Sequence, residues 1–131
     1  MQVEILALCD AATDYQGRLC VLGAIDTIFA RAFPATHPQC AIALRLRFTQ
    51  IEVGDHSVRL HLVNDDGQLV LPPLEGKMAI ALNPGFDSAS ANLVLAIHGL
   101  QLQSPGDYAV NLAVDGKQEA SIPLYVRKQD G

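Results

Sequence analysis

Apolar residues recur at every second position in several short segments of the chain. From Cys40 to Phe48 they occupy the even positions, and Arg45 and Arg47 lie between them. This period of two is typical of a β-strand with one buried face, because successive side chains point to opposite faces. No segment shows the 3.6-residue period of an amphipathic helix, so we predict strands and no substantial helix. The same alternation is found in three further segments: Val58 to Leu62, Tyr108 to Val114 and Ile122 to Val126.

Turn signals divide the chain at short intervals. Gly, Pro, Asn and Asp favour turns, and their spacing leaves room for about seven to nine strands. Many short strands in a chain of 131 residues are best packed as two antiparallel sheets. The sequence therefore predicts a single all-β domain over residues 1–131, a two-layer antiparallel β-sandwich with little or no helix. The turn signals are Gly54-Asp55, Asp65-Asp66-Gly67, Pro72-Pro73, Asn83-Pro84-Gly85, Pro105-Gly106 and Asp115-Gly116.

The alternation changes phase near Thr49-Gln50. Apolar residues stand at even positions through Phe48 and at odd positions from Ile51. One extra residue in a β-bulge would produce this change and would preserve a hairpin that turns at Gly54-Asp55, with Phe48 facing Leu60. The outer face of that hairpin would carry four basic residues together: Arg45, Arg47, Arg59 and His61.

These four residues are a candidate site for a small anion or an acidic partner. The guanidinium group of Arg presents paired N–H donors that suit carboxylates and phosphates. The alternative is a solvated strand face, on which partners such as Glu52 neutralise the charges across strands.

Composition and charge narrow the class of protein. Apolar residues make up 50% of the chain and charged residues 18%, with 9 basic and 14 acidic residues and a net charge of −5. The aliphatic content excludes a disordered chain, and the net charge argues against nucleic acid or an anionic membrane as a partner. No Lys or Arg precedes the first apolar residues, and the apolar runs are too short to span a membrane. We therefore expect a cytoplasmic protein.

Some strands are apolar on both faces. Ile5 to Cys9 and Leu93 to Ile97 contain no polar residue, although a two-layer sandwich buries only one face of each strand. Because no helix is predicted that would cover the second face, we expect a symmetric homodimer; another protein partner stays unknown. The predicted dimer interface consists of Leu6, Leu8, Leu93, Leu95 and Ile97.

Motifs for catalysis or metal binding are sparse. Asp10, Asp14 and Asp26 would supply oxygen ligands for a hard cation, but their spacing matches no calcium loop and is typical of solvated turns. The three cysteines have no CxxC spacing and are expected to be free, buried thiols that act as small hydrophobes. The sequence contains neither a nucleophile elbow nor a phosphate-binding loop.

These observations favour a non-catalytic binding or structural module without a cofactor. One alternative is a binder of a small molecule or anion that uses the four basic residues or a cleft at a loop end. A second alternative is a metal-assisted enzyme that uses the three aspartates.

Four segments in the first third of the chain carry a family resemblance. They are ALCDAA from Ala7 to Ala12, LGA from Leu22 to Ala24, FP at Phe33-Pro34, and HPQCAIALRLRF from His37 to Phe48. On these segments the chain resembles an uncharacterised family of bacterial all-β domains of similar length, and the similarity extends over nearly the whole chain. The family has no established activity, so the resemblance implies a fold and no catalytic residue.

The segment Ser104 to Val110, SPGDYAV, carries a second resemblance. It is similar to the corner between strands E and F of immunoglobulin-like domains, where a Tyr at the start of strand F hydrogen-bonds back across the corner. Tyr108 would hold that place. The paired cysteines and the core Trp of antibody domains are absent, so this resemblance implies an immunoglobulin-like sandwich and no function.

Overall fold

The structure is a computed structural model that describes residues 1–130, and in that range it contains nine β-strands in two sheets. The strands are β1 (Gln2–Tyr15), β2 (Arg18–Ile25), β3 (Thr27–Ala30), β4 (Ala35–Thr49), β5 (Gly54–Val63), β6 (Leu74–Ile80), β7 (Ser88–Leu102), β8 (Gly106–Val114) and β9 (Lys117–Lys128). One sheet has the strand order β2-β1-β4-β7, and the other has the order β3-β9-β8-β5-β6. The predicted all-β sandwich is confirmed, although β3 and β9 pair in parallel. Within residues 1–130, no helix has the length and apolar character needed to cross a membrane.

Aliphatic side chains on the inner faces of the two sheets form the core. The side chain of Leu44 in β4 is fully buried, and in the ladder Leu44 lies between Leu6 of β1 and Leu93 of β7. Val110 and Leu112 of β8 belong to the same cluster from the opposite sheet. Over the described residues, no polar side chain is buried. The removal of apolar surface from water is therefore the main force that holds the sheets together.

The predicted hairpin between β4 and β5 is wrong. β4 pairs with β1 and β7 in one sheet, and β5 pairs with β6 and β8 in the other. A short 3₁₀ turn, Gln50–Glu52, carries the chain between the sheets. Ile51 in this turn is 94% exposed, so the change of phase marks a crossing between layers and not a bulge. The Glu52 carboxylate accepts the backbone N–H of Thr49 at 2.9 Å and binds the Met1 amine, which lowers the pKa of Glu52 to about 2.

The five residues predicted as a dimer interface face the core instead. Leu8 and Ile97 are buried, and Leu6, Leu93 and Leu95 pack against the core cluster. Their side chains therefore pack between the two sheets. The outer face of the same strands is also partly covered, because a small-residue cluster on it is buried. This cluster consists of Cys9, Ala41 and Ala43.

The hairpin of β1 and β2 covers the small-residue cluster. Ala12 and Leu19 pack against the cluster. The carbonyl of Gly17, at the hairpin tip, accepts hydrogen bonds from Arg45 Nη1 at 3.3 Å and Asn92 Nδ2 at 3.2 Å. The chain itself thus covers part of the outer apolar face for which a second copy was predicted.

Tyr108 makes a hydrogen bond across the corner before β8. Its ring is 4% exposed, and its hydroxyl donates to the carbonyl of Ser104 at 2.7 Å. The contact ties the loop that enters β8 to the end of the core.

His56 links the crossing between the sheets to the turn between β8 and β9. Its ring stacks on Phe48 with the centroids 4.4 Å apart. Nε2 lies 2.5 Å from the carbonyl oxygen of Glu52, and Nδ1 lies 2.6 Å from the Asp115 carboxylate. Both ring nitrogens face acceptors, so the protonated ring, in which both nitrogens donate, is favoured. The Glu52 carbonyl and then Asp115 raise the pKa of His56 above its ordinary value of 6.5, and the bond from His56 lowers the pKa of Asp115.

This contact predicts that the free energy of unfolding depends on pH. The charged His56 ring stabilises the fold fully below its unfolded pKa of about 6.5, and this contribution is lost as the pH rises through the raised pKa. We expect the stability difference between the wild type and His56→Gln to shrink as the pH rises from about 6 to about 8. Urea denaturation at several pH values measures this difference, and a constant difference would contradict the role of His56.

The Tyr108→Phe substitution should lower the free energy of unfolding by about 1 kcal/mol, because it removes one hydrogen bond and leaves the core volume nearly unchanged. Tyr125→Phe is the matched control, since Tyr125 is 38% exposed and its hydroxyl has no hydrogen-bond partner among residues 1–130. Urea denaturation compares the two variants. Equal losses would show that the corner bond does not stabilise the fold.

Candidate functional site

The structure divides the four predicted basic residues between two surfaces. Arg45 and Arg47 lie on β4 in the four-stranded sheet, and Arg59 and His61 lie on β5 in the other sheet. The shared face predicted for them does not form, because the hairpin on which it depended is replaced by a crossing between the sheets.

The arginines of β4 are held by side chains of their own sheet. Arg45 Nε donates to Glu4 at 3.0 Å, and Arg47 Nε donates to the other oxygen of Glu4 at 2.8 Å. Further N–H groups donate to Asn92 and Ser88 at 3.0 Å each. The bonds from Arg47, with those from Arg45, lower the pKa of Glu4. The charges of Arg45 and Arg47 are therefore neutralised across strands, as on a solvated strand face, but by Glu4 and not by Glu52.

Arg59 and His61 line a groove on the outer face of the five-stranded sheet. The groove has a volume of about 520 Å³ and lies across β6, β5 and β8. Arg59 Nη2 lies 2.5 Å from the Glu75 carboxylate, the one ion pair that Arg59 forms within residues 1–130. The main lining residues are Ser57, Arg59, His61, Glu75, Lys77 and Ala113.

The three aspartates considered as metal ligands each have local contacts. Asp14 accepts the backbone N–H of Gly17, Asp26 accepts the hydroxyl of Thr27, and Asp10 lies against Gly23. In the described part of the chain, no group of three His, Cys, Asp or Glu side chains is placed to hold a metal ion.

The cysteines are free thiols, as the sequence predicts, but the prediction that all three are buried is wrong for Cys20, which is exposed on the edge strand β2. Cys9 and Cys40 are buried, and burial raises the pKa of Cys40 to about 11. A protonated thiol is a poor nucleophile, so these two side chains act as small apolar groups.

Strand β2 presents an apolar free edge. It is one of the two outer strands of the four-stranded sheet, and no charged residue lies between Arg18 and Asp26. Leu22 is 69% exposed and Val21 is 37% exposed, and Cys20 is exposed beside them. Natural sheets usually protect such an edge with charges, proline or a covering loop.

A glycine shapes this edge. Gly23 has a φ of +67°, and a Cβ atom at this position would lie 2.5 Å from Oδ2 of Asp10. Glycine alone adopts this conformation readily, and it leaves room for the Asp10 side chain.

Sequence reasoning did not single out either the edge of β2 or the partners of Arg59 in the groove. The uncharged run from Leu19 to Ile25 was a visible signal for the edge. Lys77 and Glu75 gave no such signal, because strand pairing places them beside Arg59 and the sequence does not reveal that pairing.

Comparison with known proteins agrees with the family resemblance of the first third of the chain. No curated protein and no solved structure matches the chain. Residues 4–127 match a family described as a family of unknown function, DUF6941. This match covers nearly the whole chain, and the chain therefore belongs to the family DUF6941.

Proposed function

We propose that this domain is a non-catalytic interaction module that associates with a second copy of itself along the edge of β2. The observation that carries the proposal is the exposed apolar edge, with Leu22 at its centre. Unpaired backbone groups along an edge are a template for another strand, and apolar side chains beside them gain stability when a partner covers them.

A second copy fits this edge by charge. When two β2 strands pair antiparallel around a two-fold axis at Leu22, residue numbers on opposite strands sum to 44. Arg18 of one copy then lies opposite Asp26 of the other, the residue that directly follows β2, at both ends of the paired segment. Cys20 lies opposite Ala24, and the two Leu22 side chains meet on the axis. The interface is therefore self-complementary, as two-fold symmetry requires.

The charges favour this register over its neighbours. A shift of one residue would place Arg18 opposite Ile25 or Thr27, neither of which is charged. Opposite charges that face each other across two strands stabilise the pairing, so the register with Arg18 opposite Asp26 is favoured. Within residues 1–130, Arg18 forms no ion pair, and the Asp26 carboxylate accepts only the Thr27 hydroxyl. Both groups are exposed and ready to pair across the interface.

The first test places a charge on the axis. We expect the wild type to sediment at twice the mass of the chain and Leu22→Lys to sediment as a monomer, because the substitution brings two ammonium groups together. Leu69→Lys is the matched control, since Leu69 is also an exposed leucine, at 51%, but lies outside β2. A wild type that stays monomeric at millimolar concentration would refute the proposal.

The second test examines the register by exchange of charges. Arg18→Asp and Asp26→Arg should each weaken dimerisation about tenfold, because symmetry counts each lost pair twice and each pair contributes up to about 1 kcal/mol. The double variant should recover the wild-type dissociation constant in sedimentation equilibrium. If the double variant loses as much dimerisation free energy as the two single variants together, the two strands pair in a different register.

A further inference from the structure

We infer that the groove on the outer face of the five-stranded sheet binds a small organic anion, a carboxylate or a phosphate monoester, through Arg59 and Lys77. This inference does not depend on self-association, because the groove and the edge of β2 belong to different sheets.

Side-chain size explains the shape of the groove. Ser57 pairs with Lys77 between β5 and β6, and Arg59 pairs with Ala113 between β5 and β8. Small residues thus alternate with long ones, so the floor is low beside Ala113 and Gly116 and the walls are high. A volume of about 520 Å³ lies within the usual range for small-molecule sites.

The edge of the groove is held in place by Asp115. One oxygen of its carboxylate accepts the backbone N–H of Ser57 at 2.9 Å, and the other lies 2.6 Å from His56 Nδ1. These contacts fix the turn before Gly116 against β5. The groove is therefore formed before a ligand arrives, which lowers the entropy cost of binding.

Hydrogen-bond donors in the groove exceed acceptors. Arg59 uses one nitrogen on Glu75, and its other N–H groups have no acceptor in the described part of the protein. Lys77 forms no ion pair within that part. Arg45 and Arg47 differ, since their N–H groups are occupied by Glu4, Asn92 and Ser88. Of the two halves of the predicted basic patch, the half on β5 has donors available for an oxyanion.

The lining favours an organic anion over a bare inorganic ion. Much of the surface of the groove is apolar, and the small residues Ala113 and Gly76 belong to its lining. An anion with an apolar body covers this surface, while its charged end reaches Arg59. Glu75 occupies one nitrogen of the same guanidinium group, and its negative charge repels an anion that approaches the remaining N–H groups.

Amide chemical shifts during titration test the site. The probes are benzoate, phenyl phosphate and inorganic phosphate at constant ionic strength. We expect shifts at Ser57, Arg59, Lys77 and Ala113. Arg59→Gln should weaken binding of the organic probes about tenfold, because it removes charge-assisted hydrogen bonds. Glu75→Gln should strengthen binding about threefold, because it removes the competing carboxylate and its repulsion.

Matched controls use the other exposed ion pair of the same sheet, Arg127 with Asp107. Arg127→Gln and Asp107→Asn change the net charge equally but lie outside the groove lining, so they should leave affinity unchanged.

Equal effects of Arg59→Gln and Arg127→Gln would overturn the inference, as would inorganic phosphate binding as tightly as the organic probes. The tighter of benzoate and phenyl phosphate identifies the anionic group. The titration is repeated in Leu22→Lys, so that a failure of self-association and a failure of anion binding are measured separately.

Discussion

Burial of apolar side chains on both faces of the four-stranded sheet is the constraint on which the rest of the structure depends. The second sheet covers the inner face, where Leu44 and its neighbours are packed. The outer face needs a different cover, and the hairpin of β1 and β2 provides it through Ala12 and Leu19. Cys9, Ala41 and Ala43 are small, so the hairpin approaches the sheet closely. β2, the second strand of this hairpin, also forms one edge of the sheet.

The crossing at Gln50–Glu52 determines the chemistry of the two outer surfaces. It places the arginines of β4 beside Glu4, where cross-strand hydrogen bonds use their donors. It places Arg59 beside a single carboxylate, that of Glu75, in a groove with a low floor. The arginines of β4 and Arg59 of β5 therefore differ in the number of N–H groups that remain available to a ligand, although both strands show the same alternation.

Alternation along a strand indicates which side chains share a face, and this was sufficient to predict the β-sandwich. It does not indicate which strands pair, so a hairpin and a crossing between sheets both fit the segment from Cys40 to Leu62. Ile51 was misleading because it looks like the first apolar residue of a shifted alternation but is almost fully exposed. Runs that are apolar on both faces correctly indicated a second cover. Residue size held further information, since Leu6 and Leu8 face the core while Cys9 faces the hairpin.

The two proposed surfaces are compatible because they lie on different layers of the sandwich. Antiparallel pairing along β2 would join the two four-stranded sheets edge to edge. The outer face of each five-stranded sheet takes no part in that pairing, so both grooves would stay open. The net charge of −5 works against both contacts at long range, since it repels a second copy and an anion alike. Association must therefore rest on short-range features, the apolar contact and paired charges at β2 and the hydrogen-bond donors of Arg59 and Lys77.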